Sequence, residues 1–264
     1  MVAELDFVGH IRDESARFGA CLASADRSRR VAACPDWDAA DLLWHLTEVQ
    51  MFWGTIVRDR LDDPDAAEAA KPDRPDDFAA LLALFDETSA ALLEAVTTTP
   101  GETEVWTWAD DHSVDFVRRR QAHEALIHRL DAELLVEDRT AFDRDLASDG
   151  VDEVLRVMHG DLPPWATFTP DGAAGTVETN DTRTTWPLTF GRFSGTSPNT
   201  GNVYDMDSLV IDDRPGQPAS FAVRGSAADL DAWLWGRPAV APLDIHGDRA
   251  SLARLELIVQ RGID

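Results

Sequence analysis

A chain of 264 residues exceeds the usual size of a single core, so two domains are expected, and 44% hydrophobic with 28% charged residues exclude extended disorder. With 49 Asp and Glu against 24 Lys and Arg the formal net charge is −25, a field that repels phosphate backbones and anionic bilayers. Nucleic acid and membrane surfaces are therefore not expected as partners.

Nearly all the basic residues are arginine, Lys71 being the only lysine, and the acids are mostly aspartate. That bias reads as codon composition or salt adaptation, with a strongly solvated surface as its consequence. Cys21 and Cys34 are the only cysteines, too few for a disulfide scaffold and not in C-x-x-C spacing, which suits a reducing compartment. The first ten residues carry Glu4 and Asp6 and no basic segment leading into an apolar stretch, so no signal peptide is expected. No run of about 18 apolar residues occurs. The expected location is the cytoplasm.

The first predicted helix spans 4–26, with Leu5, Val8, Ile11, Phe18 and Leu22 near helical spacing. Cys34-Pro35-Asp36-Trp37 breaks the pattern. Asp38 is a fitting N-cap with Asp41 three residues on, and Leu42, Leu46, Val49, Trp53 and Ile56 carry a second helix. Residues 62–77, rich in Asp, Ala and Pro, read as a loop before a third helix marked by Phe78, Leu81, Leu82, Phe85, Leu92 and Leu93. Trp106 to Asp115 has no assignable period. Residues 116–136 form a fourth helix free of Gly and Pro, which together with the others suggests a helical bundle. A short helical pattern within 143–160 reads as a connector.

Beyond Pro163 the texture changes to Gly, Pro and Thr clusters between short alternating runs. Strands are predicted at 175–179, 184–190, 208–212 and 220–223, and helices at 227–235 and 250–259. The expected organisation is thus multi-domain, an all-α four-helix bundle over 1–145 followed by a smaller α+β domain over 146–264.

On the fourth helix Arg120, Glu124, His128 and Asp131 follow at spacings of four, four and three, so they share one face that borders the apolar arc of Ile127, Leu130 and Leu134. His45, between Leu42 and Val49, lies on the inward face of the second helix. A Glu and a His one turn apart, joined by a His from a neighbouring helix, make the His₂Glu set of a catalytic divalent metal centre, zinc being the expected ion. Each piece has a plainer reading: His45 as a hydrogen-bonded core residue, Glu124 and His128 as a surface pair. Asp131 is expected behind the ligands, orienting an imidazole, with an exposed salt bridge as the alternative. His123-Glu124 resembles the start of H-E-x-x-H, yet the next histidine is one residue too far and His123 turns about 100° from Glu124, so packing is its expected role. Asp111 and His112 are the nearest candidates for a fourth ligand.

In the second half, Gly225 to Arg237 forms a Trp-rich helix ending on Gly236-Arg237. Gly236 is a natural helix-terminating residue. Arg237 either complements the helix end or clamps the carboxylate of a small organic acid through its planar fork. Neither cysteine has a neighbour that would activate it, and neither a phosphate-cradling glycine loop nor a G-x-S-x-G elbow occurs, so a thiol used in catalysis would come from outside the chain.

The segments Cys34-Pro-Asp-Trp37 with Asp41-Leu-Leu-Trp-His45-Leu, His123-Glu124-Ala-Leu-Ile-His128-Arg-Leu-Asp131-Ala, Ala147 through Leu155, and Gly225 through Arg237 resemble the mycothiol-dependent maleylpyruvate isomerase family. The resemblance implies a DinB-like bundle followed by a sterol-carrier-like domain. It implies a metal on His45, Glu124 and His128, Arg237 as the functional arginine, and mycothiol as thiol cosubstrate. The metal would lower the pKa of that thiol, and the thiolate would add to the double bond of a maleyl-type acid and leave after rotation. Thiol transfer to another electrophile is the alternative activity. A non-catalytic metal-containing protein that shelters a small ligand is the alternative from another class. Monomer and homodimer are equally compatible with a bundle.

Overall fold

The computed structural model describes residues 5–198, 200–212 and 218–261, and it falls into two compact units, Met1–Ala141 and Phe142–Asp264. Residue 4, where the first helix is expected to begin, lies outside the described residues. The first unit is helical and the second is α+β, which is the predicted fold class.

In the first unit four long helices carry the fold: α1 (Phe7–Ser24), α2 (Ala39–Asp59), α4 (Phe78–Thr98) and α5 (Val114–Val136), with a single turn-like helix, α3 (Asp65–Ala69), between α2 and α4. Helix α1 packs along α5 and α2 along α4, while α2 also meets α5. Their buried sides follow the apolar spacing: Phe18 and Leu22 of α1, Leu42, Leu43 and Leu46 of α2, Leu81 and Phe85 of α4, and Leu135 of α5 share one core. Phe18 and Phe85 meet with ring centroids 5.1 Å apart.

Each of the four long helices starts on a capping side chain. Asp38 accepts from the backbone N–H groups of Ala40 and Asp41, while the Asp41 carboxylate accepts from the N–H of Asp38, completing the expected capping box. Ser113 Oγ accepts from Phe116 N at the start of α5. Helix α3 lies within the expected loop over 62–77, and two further short features of this unit differ from the sequence expectation. Cys34-Pro35-Asp36-Trp37 does end the first helical pattern, but as part of strand β2 (Cys34–Asp38), paired antiparallel with β1 (Arg30–Val31). The segment without assignable period is an irregular loop closed by a bridge between Glu104 and Ser113, with Thr107 Oγ1 bonded to the carbonyl of Asp111.

The second unit opens with α6 (Arg144–Asp152), which runs into a π-helical turn, Glu153–Met158. This segment was expected to be a connector; instead Val151, Val154 and Leu155 are fully buried in the core of the unit. Five strands follow in the order β5-β4-β3-β6-β7: β3 (Ala166–Thr179), β4 (Thr185–Thr196), β5 (Val203–Ile211), β6 (Phe221–Gly225) and β7 (Asp244–Gly247). β3 pairs antiparallel with β4 and parallel with β6. It starts nine residues before its expected position because the register shifts between Pro170 and Ala174, where Gly172 takes φ +89°, and the strand resumes beyond. Helices α7 (Ala227–Leu234) and α8 (Arg249–Gln260) contribute Leu230, Leu234, Leu252 and Leu255 to the same core as Trp186, Leu188 and Phe190 of β4. Among the described residues no helix is long and apolar enough to cross a membrane.

Candidate metal centre

Three side chains of the first unit converge. His45 Nε2 lies 3.3 Å from Glu124 Oε1, and His128 Nε2 lies 3.1 Å from the same oxygen. One donor atom from each residue fits within 4.8 Å of the others, the only such group of metal-capable side chains among the described residues. Helix geometry explains the meeting: Glu124 and His128 are one turn apart on α5, and His45 stands on α2 where that helix meets α5. His45 is not a core residue, since its side chain keeps 28% exposure and turns toward Glu124.

The supporting groups lie on the same stripe of α5. Arg120, 5% exposed, donates from Nη2 to Glu124 Oε2 at 2.6 Å. Asp131, 1% exposed, lies with Oδ2 3.1 Å from His128 Nδ1. His128 therefore faces a carboxylate oxygen from each ring nitrogen, and both contacts are attractive only when both nitrogens carry hydrogen. Burial alone would lower its pKa; hydrogen bonds to Asp131 and Glu124 outweigh that and raise it to about 9. Burial would likewise raise the Glu124 carboxyl, yet the Arg120 charge and the two imidazoles hold it well below the ordinary range.

The donor set fits a cation. Ligand bonds near 2.0–2.2 Å in a tetrahedron put neighbouring donor atoms roughly 3.3–3.5 Å apart, close to the contacts that Glu124 Oε1 makes with the two imidazoles. The Nε2 proton that His128 needs in the metal-free state occupies the place an ion would take. Arg120 occupies Oε2, so Oε1 is the oxygen that could ligate an ion, and Asp131 faces Nδ1, the arrangement that orients ligating histidines. Three protein donors leave a tetrahedral ion one open position.

Other predicted residues are elsewhere. His123 is 1% exposed and packs edge-on against Phe7, ring centroids 6.2 Å apart, as its helical angle implies. Asp111 and His112 are exposed on the loop before α5, where His112 Nδ1 sits 3.2 Å from Thr107 Oγ1, and neither belongs to the donor group. Arg237 belongs to the second unit. Gly236, at φ +72°, donates to the Trp233 carbonyl and Arg237 N to that of Ala232, a Schellman ending for α7. The Arg237 guanidinium donates from Nη1 to the Trp235 carbonyl at 2.6 Å, a contact that serves the helix end. Trp37 carried no role in the sequence reading, although its ring centroid lies 4.9 Å from that of His45.

Sequence comparison matches residues 8–133 to the mycothiol maleylpyruvate isomerase N-terminal domain and residues 145–254 to the C-terminal domain of the same family. No curated protein matches the chain. In structure the chain is similar to the mycothiol-dependent maleylpyruvate isomerase, with 15% identity, a TM-score of 0.56, and 92% of this chain and 93% of that one covered. A histidine-to-alanine mutant of that enzyme gives the same TM-score and coverage at 13% identity. At these identities the likeness speaks for the fold.

Proposed function

The chain belongs to the mycothiol maleylpyruvate isomerase family, and on that premise we propose that it is a metal- and mycothiol-dependent enzyme acting on a small unsaturated organic acid. The observation that carries the reading is the convergence of His45, Glu124 and His128 with Arg120 and Asp131 braced behind them. A structural zinc site closes its coordination with a fourth protein ligand, whereas three donors suit a catalytic one.

A divalent cation held here would supply Lewis acidity, keeping a thiol at the open position as its thiolate. The thiol in turn supplies reversible addition to a cis double bond, so that rotation and departure give the trans isomer. The chain's own residues do the rest. Asp131 holds the proton on His128 Nδ1 and so aims Nε2. Arg120 cancels the charge of Glu124 and keeps its carboxylate from spreading over two ligand positions. Arg237 is assigned the substrate carboxylate, which the planar fork of a guanidinium suits.

Mycothiol supplied with maleylpyruvate should give the trans isomer, read by proton NMR; with other electrophiles, mass spectrometry would show a thioether if thiol transfer is the activity. Neither product, together with no binding of mycothiol, would sink the proposal and favour a ligand-sheltering protein.

Metal affinity should also depend on pH with a defined sign. At neutral pH the metal-free His128 is protonated, its pKa being raised to about 9, so binding expels a proton. Affinity is expected to rise about tenfold per pH unit toward pH 9 and to flatten above it. Isothermal titration in buffers of different ionisation enthalpy counts the released proton; a count of zero at pH 7 contradicts the assignment of His128.

A further inference from the structure

The three donors are not supported alike. His128 has Asp131 behind it and Glu124 has Arg120, both through hydrogen bonds. His45 hydrogen-bonds only to Glu124 among the described residues, and it is the most exposed of the three. Rings hold it instead. Trp37 lies at 4.9 Å between centroids with planes at 44°, and His128 at 4.7 Å and 73°.

Trp37 is well placed to hold another side chain still. It immediately precedes Asp38, whose capping box fixes the entry of the chain into α2, and Asp41 of that box is itself tied to Arg74 at 2.7 Å. On the other side, Arg30 donates to the carbonyl of Asp36 at 3.0 Å across the β1–β2 hairpin. The half-buried indole also packs against the core that holds Leu42 and Leu46. Hairpin, cap and core thus converge on one aromatic residue beside the least restrained ligand.

We propose that Trp37 is a positioning residue of the metal centre, its indole face holding His45 in ligating orientation and favouring the metal-bound state. Coordination moves positive charge onto the imidazole, and the negative face of an indole attracts positive charge. The contact therefore strengthens when metal binds, which an aliphatic side chain of similar bulk cannot reproduce. This inference rests on the metal reading above.

The test uses full-length protein stripped of metal and titrated with zinc against a chelator. Trp37→Leu should weaken zinc binding about tenfold, while Trp37→Phe, which keeps a ring face, should recover most of that loss. Wild-type indole emission should change on zinc addition, and that change should be absent in both variants. Equal affinity in all three proteins, equal loss in Leu and Phe, or an emission change that persists without Trp37 overturns the proposal. If the Leu variant does not fold, the Phe variant and its emission decide. Wild-type protein that binds no zinc overturns the metal reading itself, and this proposal with it.

Discussion

Glu124→Gln is expected to lower bound divalent metal from about one ion per chain to less than about a tenth, and to abolish thiol-dependent turnover. The substitution keeps the shape of the side chain, so the argument is electrostatic. Glu124 is the only anionic member of the donor group, and its Oε1 is the atom both imidazoles approach, at 3.3 and 3.1 Å. With a neutral amide, the Arg120 guanidinium no longer faces an opposite charge at position 124, so a dication would meet a buried guanidinium at close range. His45→Ala and His128→Ala remove one donor each, and the second should cost more because it also strips the buried Asp131 of its imidazole partner. Elemental analysis of the purified proteins checks the loss, with circular dichroism to show that the helices persist. Metal content unchanged in all three variants would end the assignment.

How much of this was legible beforehand follows from length scales. The long helices repeat their apolar pattern over five or six turns, so α2 and α4 announce themselves through Leu42, Leu46, Trp53 and Ile56 or Leu81, Phe85 and Leu92. The polar stripe of α5 is legible for the same reason, because four residues at helical spacing cannot share a face by strand geometry. Short elements offer no such repetition. β1 has two residues, β2 contains Pro35, and all four residues of β7 are exposed, so none shows alternation. α3 hides in a stretch whose composition favours a loop. The part played by Trp37 was beyond reach because the β1–β2 hairpin that aims it is among those short elements, even though the motif containing it is conspicuous. Arg237 shows the opposite limit: the sequence offers a helix-end role and an anion clamp, and its hydrogen bond to Trp235 shows the first while the second rests on the proposed chemistry.

The donor face of α5 is useful only if the helix is held at the right rotation, and the buried ion pairs of the residue next to His128 are expected to hold it there. Arg129 turns about 100° away from it, toward α1, where its Nε lies 2.7 Å from Glu14 Oε2 and its Nη1 3.9 Å from Glu133 Oε1. All three side chains are less than a tenth exposed. Arg17 of α1 joins from the rim, 2.9 Å from Glu133, and Thr140 donates to the same carboxylate. Arg129→Met should therefore destabilise the fold by about 3–5 kcal/mol, because removing one partner of a buried pair leaves charge in a low-dielectric site. Pairing it with Glu14→Gln should recover part of the loss, since the second substitution removes the charge that the first exposes. Urea unfolding of metal-free protein measures both, free of the linkage that bound metal would add. A cost below about 1 kcal/mol for the single variant, or no recovery in the double, would mean that the α1–α5 register, and with it the aim of Glu124 and His128 toward α2, is set by apolar packing alone.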